Sequence, residues 1–164
     1  VGSEMCIRDR HGTGLTDETI ATMAERGVGL VPTLINIETF PSIAAQADGK
    51  FPKYAAHMRH LHAHRRETIA KAWDAGVPIY AGTDAGGTIK HGLIASEVRL
   101  LAAVGGAEMA LGAASWRARA WLGGEQLGIG DSADLLVLDR DPRIDVGVLE
   151  SPSYILLRGR VVIR

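Results

Sequence analysis

The chain has 164 residues, 46% of them hydrophobic, which is enough for one domain with its own core. A formal charge of −1 supplies no basic field, so nucleic acid and an anionic membrane surface are excluded as partners, and no apolar run approaches the roughly 20 residues of a membrane span. Cys6 is the single cysteine, which rules out an intrachain disulfide and a cysteine-built zinc site; the expectation is a soluble, cytoplasmic protein.

The first ten residues, VGSEMCIRDR, carry no secretory apolar core and no clean period of either kind. They read as a non-native scar and are set apart from the fold. From His11 onward the pattern is regular. In HGTGLTDETIATMAERG, Thr16 is placed to cap a helix, Asp17 and Glu18 suit its first turn, and Gly27 falls just past its end. Ile20, Met23 and Ala24 give that helix one apolar stripe. VGLVPTLI then reads as a short buried strand whose pairing stops near Pro32 and Thr33. Residues 36–53 contain Pro41, Gly49 and Pro52 and suit a long loop over the strand ends. A second helix is expected over 54–75, with Tyr54, Met58, Leu61, Ile69, Ala72 and Trp73 on its buried side and Gly76 ending it.

Residues 77–87, VPIYAGTDAGG, are the stretch around which the rest is organised. Pro78 opens a strand and Ile79, Tyr80 and Ala81 form an apolar run of the kind buried on both faces. The glycines that follow end the strand and leave Asp84 at its carboxyl end, where parallel α/β folds gather ligands and catalytic groups. A turn-forming or helix-capping aspartate fits the same stretch, and both readings stay open from these residues alone. Two more helices follow: 93–103, ending at Gly105 and Gly106, and 108–122, whose Trp116 and Trp121 read as core anchors. Past Gly123 and Gly124, ADLLVLD gives a strand at 134–138 and YILLRGRVVIR a hairpin around Gly159. The order of elements predicts a parallel α/β arrangement with a small β tail.

The histidine-rich segment HMRHLHAHRRE offers a second candidate. His62 and His64 would chelate on a strand, but on a helix they point about 200° apart. His57, His60 and His64 with Glu67 share one helical face, which fits either a weak surface metal site or, preferably, a solvated side. GTDAGG lacks the lysine and hydroxyl of a phosphate loop and the spacing of a dinucleotide fingerprint.

HGTGLTDETIATMAERGVGLVPTL, AGVPIYAGTDAGG, KHGLIASEVRLL, ALGAASWRARAWLG, GDSADLLVLDRDP and LRGRVVIR, taken together, resemble the C-terminal half of a metal-dependent amidohydrolase, in the imidazolonepropionase-like and prolidase-like branch. The resemblance implies an α/β fold, the C-terminal part of a (β/α)8 TIM-like barrel over 11–123, followed by a small β unit over 124–164. It implies one or two divalent ions, usually zinc, acting on a small-molecule amide-type substrate. Asp84 then matches the aspartate that touches the metal and takes a proton from the metal-bound water, so it is both a metal ligand and the catalytic base. His11 matches a histidine that binds the second ion in binuclear members and contacts substrate in mononuclear ones. His91, in KHG, matches a recurring histidine expected to face substrate or to start a helix.

The family's first-strand H-x-H, its lysine or glutamate on the fourth strand and its histidine on the fifth have no counterpart here. The chain therefore reads as an incomplete and inactive piece of a hydrolase of carbon–nitrogen bonds. Open strand edges would then favour aggregation or pairing with another copy, a homo-oligomer. A non-enzymatic α/β module without a metal site is the alternative. Cyclic amides, dipeptides and N-acyl amino acids remain equal as substrates.

Overall fold

The computed structural model describes residues 8–124 and 128–163; Cys6 lies outside the described residues. β1 (Arg8–Arg10) and β2 (Gly29–Val31) pair in parallel, with Arg8 opposite Gly29 and Arg10 opposite Val31. Arg8–Arg10, which the sequence pattern sets apart, therefore belong to the folded layer through their backbone. Residues 77–81 run along the other edge of β2. Leu30 donates its N–H to the Pro78 carbonyl at 2.8 Å, and Tyr80 donates to the Leu30 carbonyl at 2.9 Å. Leu30, Val77 and Ile79 are buried, as expected of a strand covered on both faces.

The connection between β1 and β2 is α1 (Asp17–Arg26), and its caps are those the sequence predicts. The Thr16 hydroxyl accepts the Thr19 N–H at 3.3 Å while the Thr19 hydroxyl accepts the Thr16 N–H at 2.7 Å. Gly27 ends the helix at φ 63°. After β2 the structure departs from expectation. The long loop predicted over 36–53 is largely helical: α2 (Leu34–Ile37), α3 (Phe40–Ala47), then α4 (Pro52–Asp74). Pro41 and Pro52, read as breakers, occupy the first turns of α3 and α4, where an absent N–H costs nothing. Ala44 of α3 and Ala55 and Met58 of α4 close over one another as a small satellite core.

The main core is formed by Ile20 and Met23 of α1, Leu30, Leu34 and Ile37, Ile69 and Ala72 of α4, Val77 and Ile79. It is completed by α5 (Ile94–Ala114), which bends where Gly105 (φ −125°) and Gly106 (φ 84°, ψ 170°) leave helical geometry. The second helix expected over 108–122 is broken at Ser115, after which α6 (Trp116–Trp121) begins. Just past the break, the Arg117 guanidinium turns back to the Met109 carbonyl and lies 5.0 Å from the centre of the Trp73 ring. A Cβ on Gly112 would stand 2.5 Å from that guanidinium carbon, so the fold-back needs glycine there. Trp121 stacks on Tyr80 at 4.3 Å, but Trp116 is 43% exposed and is no core anchor, because the break at Ser115 turns α6 outward.

The tail is a separate antiparallel sheet in the order β3 (Leu135–Val137), β4 (Tyr154–Leu157), β5 (Arg160–Ile163). A 3-10 turn at Val146–Glu150 ties it to α5, with Val146 and Leu149 against the main core and Arg99 3.1 Å from Glu150. Much of the sheet's apolar surface is left uncovered: Leu136, Val161 and Ile163 are each half exposed. Among the described residues, no helix is long and apolar enough to cross a membrane.

Candidate functional site

Each of the three parallel segments runs out into a non-glycine residue in the left-handed region: His11 at φ 69°, Thr33 at φ 50° and Asp84 at φ 55°. Among the described residues only Arg158, in the tail hairpin, shares that conformation. Such backbone costs on the order of 1–3 kcal/mol per residue and persists where surrounding contacts hold it. Here it lifts three polar side chains over one end of the layer. Gly82 brings the third into place: a Cβ there would lie 2.6 Å from Val31 Cγ1, so the chain passes β2 closely only as glycine.

His11 and Asp84 meet. The His11 N–H donates to the Val31 carbonyl at 3.0 Å, and its ring Nδ1 lies 2.6 Å from Thr33 Oγ1. The Thr33 hydroxyl donates its one proton to the Pro32 carbonyl at 2.7 Å. With its proton so used the hydroxyl accepts from His11, the arrangement in which a neutral imidazole carries its proton on Nδ1 and keeps the Nε2 lone pair free. That Nε2 lies 4.0 Å from Asp84 Oδ2. Asp84 Oδ2 accepts from Asn36 Nδ2 at 2.9 Å, and Oδ1 accepts from Arg10 at 3.3 Å. Two acceptors thus face one another across a gap with no donor of their own between them, an arrangement that a bound cation satisfies. The side chains are 37% and 31% exposed, open enough to meet a solute.

Behind the site stands Glu97 of α5. It is fully buried, and its carboxylate accepts the N–H of Leu34 at 2.9 Å and of Ile35 at 2.8 Å. Burial pushes its carboxyl up to about 7, against the lowering effect of those two donors.

His91 follows a tight turn, closed by Gly86 N–H on the Ile89 carbonyl at 3.1 Å, and is exposed. Among the described residues no hydrogen bond or ion pair joins it to His11 or Asp84. The histidine row of α4 is exposed: His57, His60, His64 and Glu67 line an open cavity of about 300 Å³ beside Thr13 and Lys71. His62 turns away to Glu38 at 3.2 Å. Among the described residues no group of three or more His, Cys, Asp or Glu is set to hold a metal ion, on α4 or around His11 and Asp84.

Sequence reasoning missed Thr33, Asn36, Arg10 and Glu97. For Thr33 a signal existed: it is the first polar residue past the buried run of β2 and Pro32. Asn36 was hidden because its segment read as a loop.

The α/β layer of this chain is similar to that of solved prolidase and dipeptidase structures. Its solved structural neighbours are prolidase-like and Xaa-Pro dipeptidase-like proteins of the amidohydrolase fold. A prolidase complexed with N-methylphosphonate-L-proline superposes with a TM-score of 0.78 at 28% identity, over 96% of this chain and 40% of that one. A Xaa-Pro dipeptidase with methionine bound in its active site gives 0.79 at 28% identity, with the same coverage. Aspergillus niger ochratoxinase shares the fold, with a TM-score of 0.76 at 24% identity over 95% of this chain and 37% of that one. In sequence, uncharacterized proteins of Mycobacterium bovis and Mycobacterium tuberculosis are 58% identical over 156 residues, 94% of this chain. The chain spans 41% of the length of those relatives. No family model matches the chain.

Proposed function

We propose that the chain is part of a metal-dependent hydrolase of amide-type carbon–nitrogen bonds, contributing the C-terminal strands of a (β/α)8 barrel and the β unit that follows. One observation carries this reading: the free Nε2 of His11 and the Asp84 carboxylate converge from two different strand ends. Imidazole nitrogen and carboxylate oxygen are the donors zinc takes in hydrolytic sites. His11 and Asp84 would hold such an ion, whose contribution is to make water acidic enough to attack at neutral pH and to polarise the substrate carbonyl. Asp84 then accepts the proton released by the attacking water. Asn36 orients its Oδ2, and the Thr33 hydroxyl keeps the His11 ring turned so that Nε2 faces Asp84. Arg10 balances the carboxylate charge. His91 is assigned to the substrate side, beyond the turn that follows Asp84. The likeness to a prolidase and a Xaa-Pro dipeptidase favours a proline-containing or related dipeptide as substrate.

A catalytic zinc takes about three protein ligands, and His11 with Asp84 are two. The 164-residue chain alone is therefore expected to hold zinc weakly and to hydrolyse nothing. Calorimetric titration with zinc, followed by assay on Xaa-Pro dipeptides and cyclic amides, checks this; measurable metal-dependent turnover overturns the incompleteness. In a longer relative that carries an aspartate at the Asp84 position, changing that aspartate to Asn is expected to lower kcat about 10²–10⁴-fold. Full dipeptidase activity in that variant would remove Asp84 from the chemistry. The second reading, a non-enzymatic α/β module, is favoured by the fact that Arg10 and Asn36 already satisfy both oxygens of Asp84. It predicts that the longer relatives bind no metal at this site.

A further inference from the structure

We propose that Glu97 is a positioning residue for this site: by holding the first turn of α2 it releases the Thr33 hydroxyl to fix the tautomer of His11. Thr33 is the N-cap residue of α2, and a threonine there ordinarily turns its oxygen to the helix's own N–H groups. It makes no such bond here. Its hydroxyl lies instead between the Pro32 carbonyl and His11 Nδ1. The first two N–H groups of α2, those of Leu34 and Ile35, go one to each oxygen of Glu97, which reaches them from 63 and 62 residues further along the chain, while the third, of Asn36, bonds to the Thr33 carbonyl at 2.9 Å.

A four-residue helix has too few internal bonds to hold its own first turn. An apolar side chain in the place of Glu97 would fill the same space without offering acceptors, and buried carboxylates are rare unless such partners demand them. The carboxylate therefore substitutes for the missing cap, and Thr33 is held at φ 50° and ψ 47° with its hydroxyl free for the imidazole. The use made of Nε2 rests on the hydrolase reading; the tether from Glu97 to His11 does not.

The test is nitrogen-15 NMR of the His11 ring in the full 164-residue chain at a pH where the imidazole is neutral, with no metal or substrate present. The wild type is expected to show the proton on Nδ1. Thr33→Ser keeps it there; Thr33→Val and Glu97→Ala switch the dominant form to Nε2–H, while amide signals from the main core stay native. Glu97→Gln, of equal size with one acceptor oxygen, restores part of the Nδ1–H population. A wild-type ring that carries its proton on Nε2, or gives a random-coil spectrum, overturns the proposal. So does a Thr33→Val chain with an unchanged tautomer, whether or not Glu97→Ala folds. Because nothing in the measurement binds metal, a failed zinc titration and a failed tether are told apart.

Discussion

Glu97 enters the folded core with the acidity of a buried group: its carboxyl is pushed up to about 7 from the ordinary 4.5. Between those values the folded chain keeps a proton that the unfolded chain has released, so unfolding free energy falls as pH rises through the window. The contribution is complete below about pH 4.5 and lost above about pH 7, a difference on the order of 3 kcal/mol. The urea midpoint is expected to be lower at about pH 8 than at about pH 5, and Glu97→Gln should flatten that difference. An equal slope in the variant would assign the effect to other groups. At this scale Asp84 carried its own signal, a carboxylate past a short apolar strand, whereas His11 was singled out only by the family resemblance, because Arg8–Arg10 ahead of it are polar. The place of Thr33 past a strand was visible but its use was not, because whether it caps a helix or serves a histidine depends on a glutamate on another element.

The elements were legible where one physical cue acted alone. Thr16 and Gly27 bracket α1 as read, since cap chemistry is local. Residues 36–53 misled because proline has two meanings, stopping one helix and starting another, and only packing of α3 on α4 decides between them. Gly105 and Gly106, read as the end of one helix before a second, mark instead a bend inside α5. Gly106 at φ 84° and ψ 170° sits in a region closed to side chains, although a Cβ there meets nothing within 4 Å. Gly106→Ala is therefore expected to cost about 1–3 kcal/mol through backbone strain alone. Thermal unfolding followed by circular dichroism checks this; an unchanged midpoint would mean the bend relaxes freely.

For the molecule as a whole, the β tail poses the largest energetic question. Leu135, Leu156 and Val161 lie in one row across its three strands, and Leu135 and Val161 are 36% and 56% exposed. Sheets with open edges and uncovered apolar faces seek partners. The purified chain is expected to self-associate as its concentration rises, and Val161→Lys should shift it toward monomer in sedimentation velocity runs. A wild-type chain that stays monomeric throughout would remove the pairing. The parallel layer and the tail were both visible in the strand and turn signals of the sequence. Exposure of the tail was not, because residues that suit a strand are the same whether or not a neighbour covers them.

α5 has a consequence for the site that neither half of it has alone. Its front half grips the start of α2 through Glu97, and its rear half receives the Ala81 N–H on the Ala113 carbonyl at 2.9 Å. One grip secures the histidine's side of the opening and the other the aspartate's. The glycine pair lies between them, like the pivot of a pair of tongs, so the bend it makes in α5 stands between the two jaws.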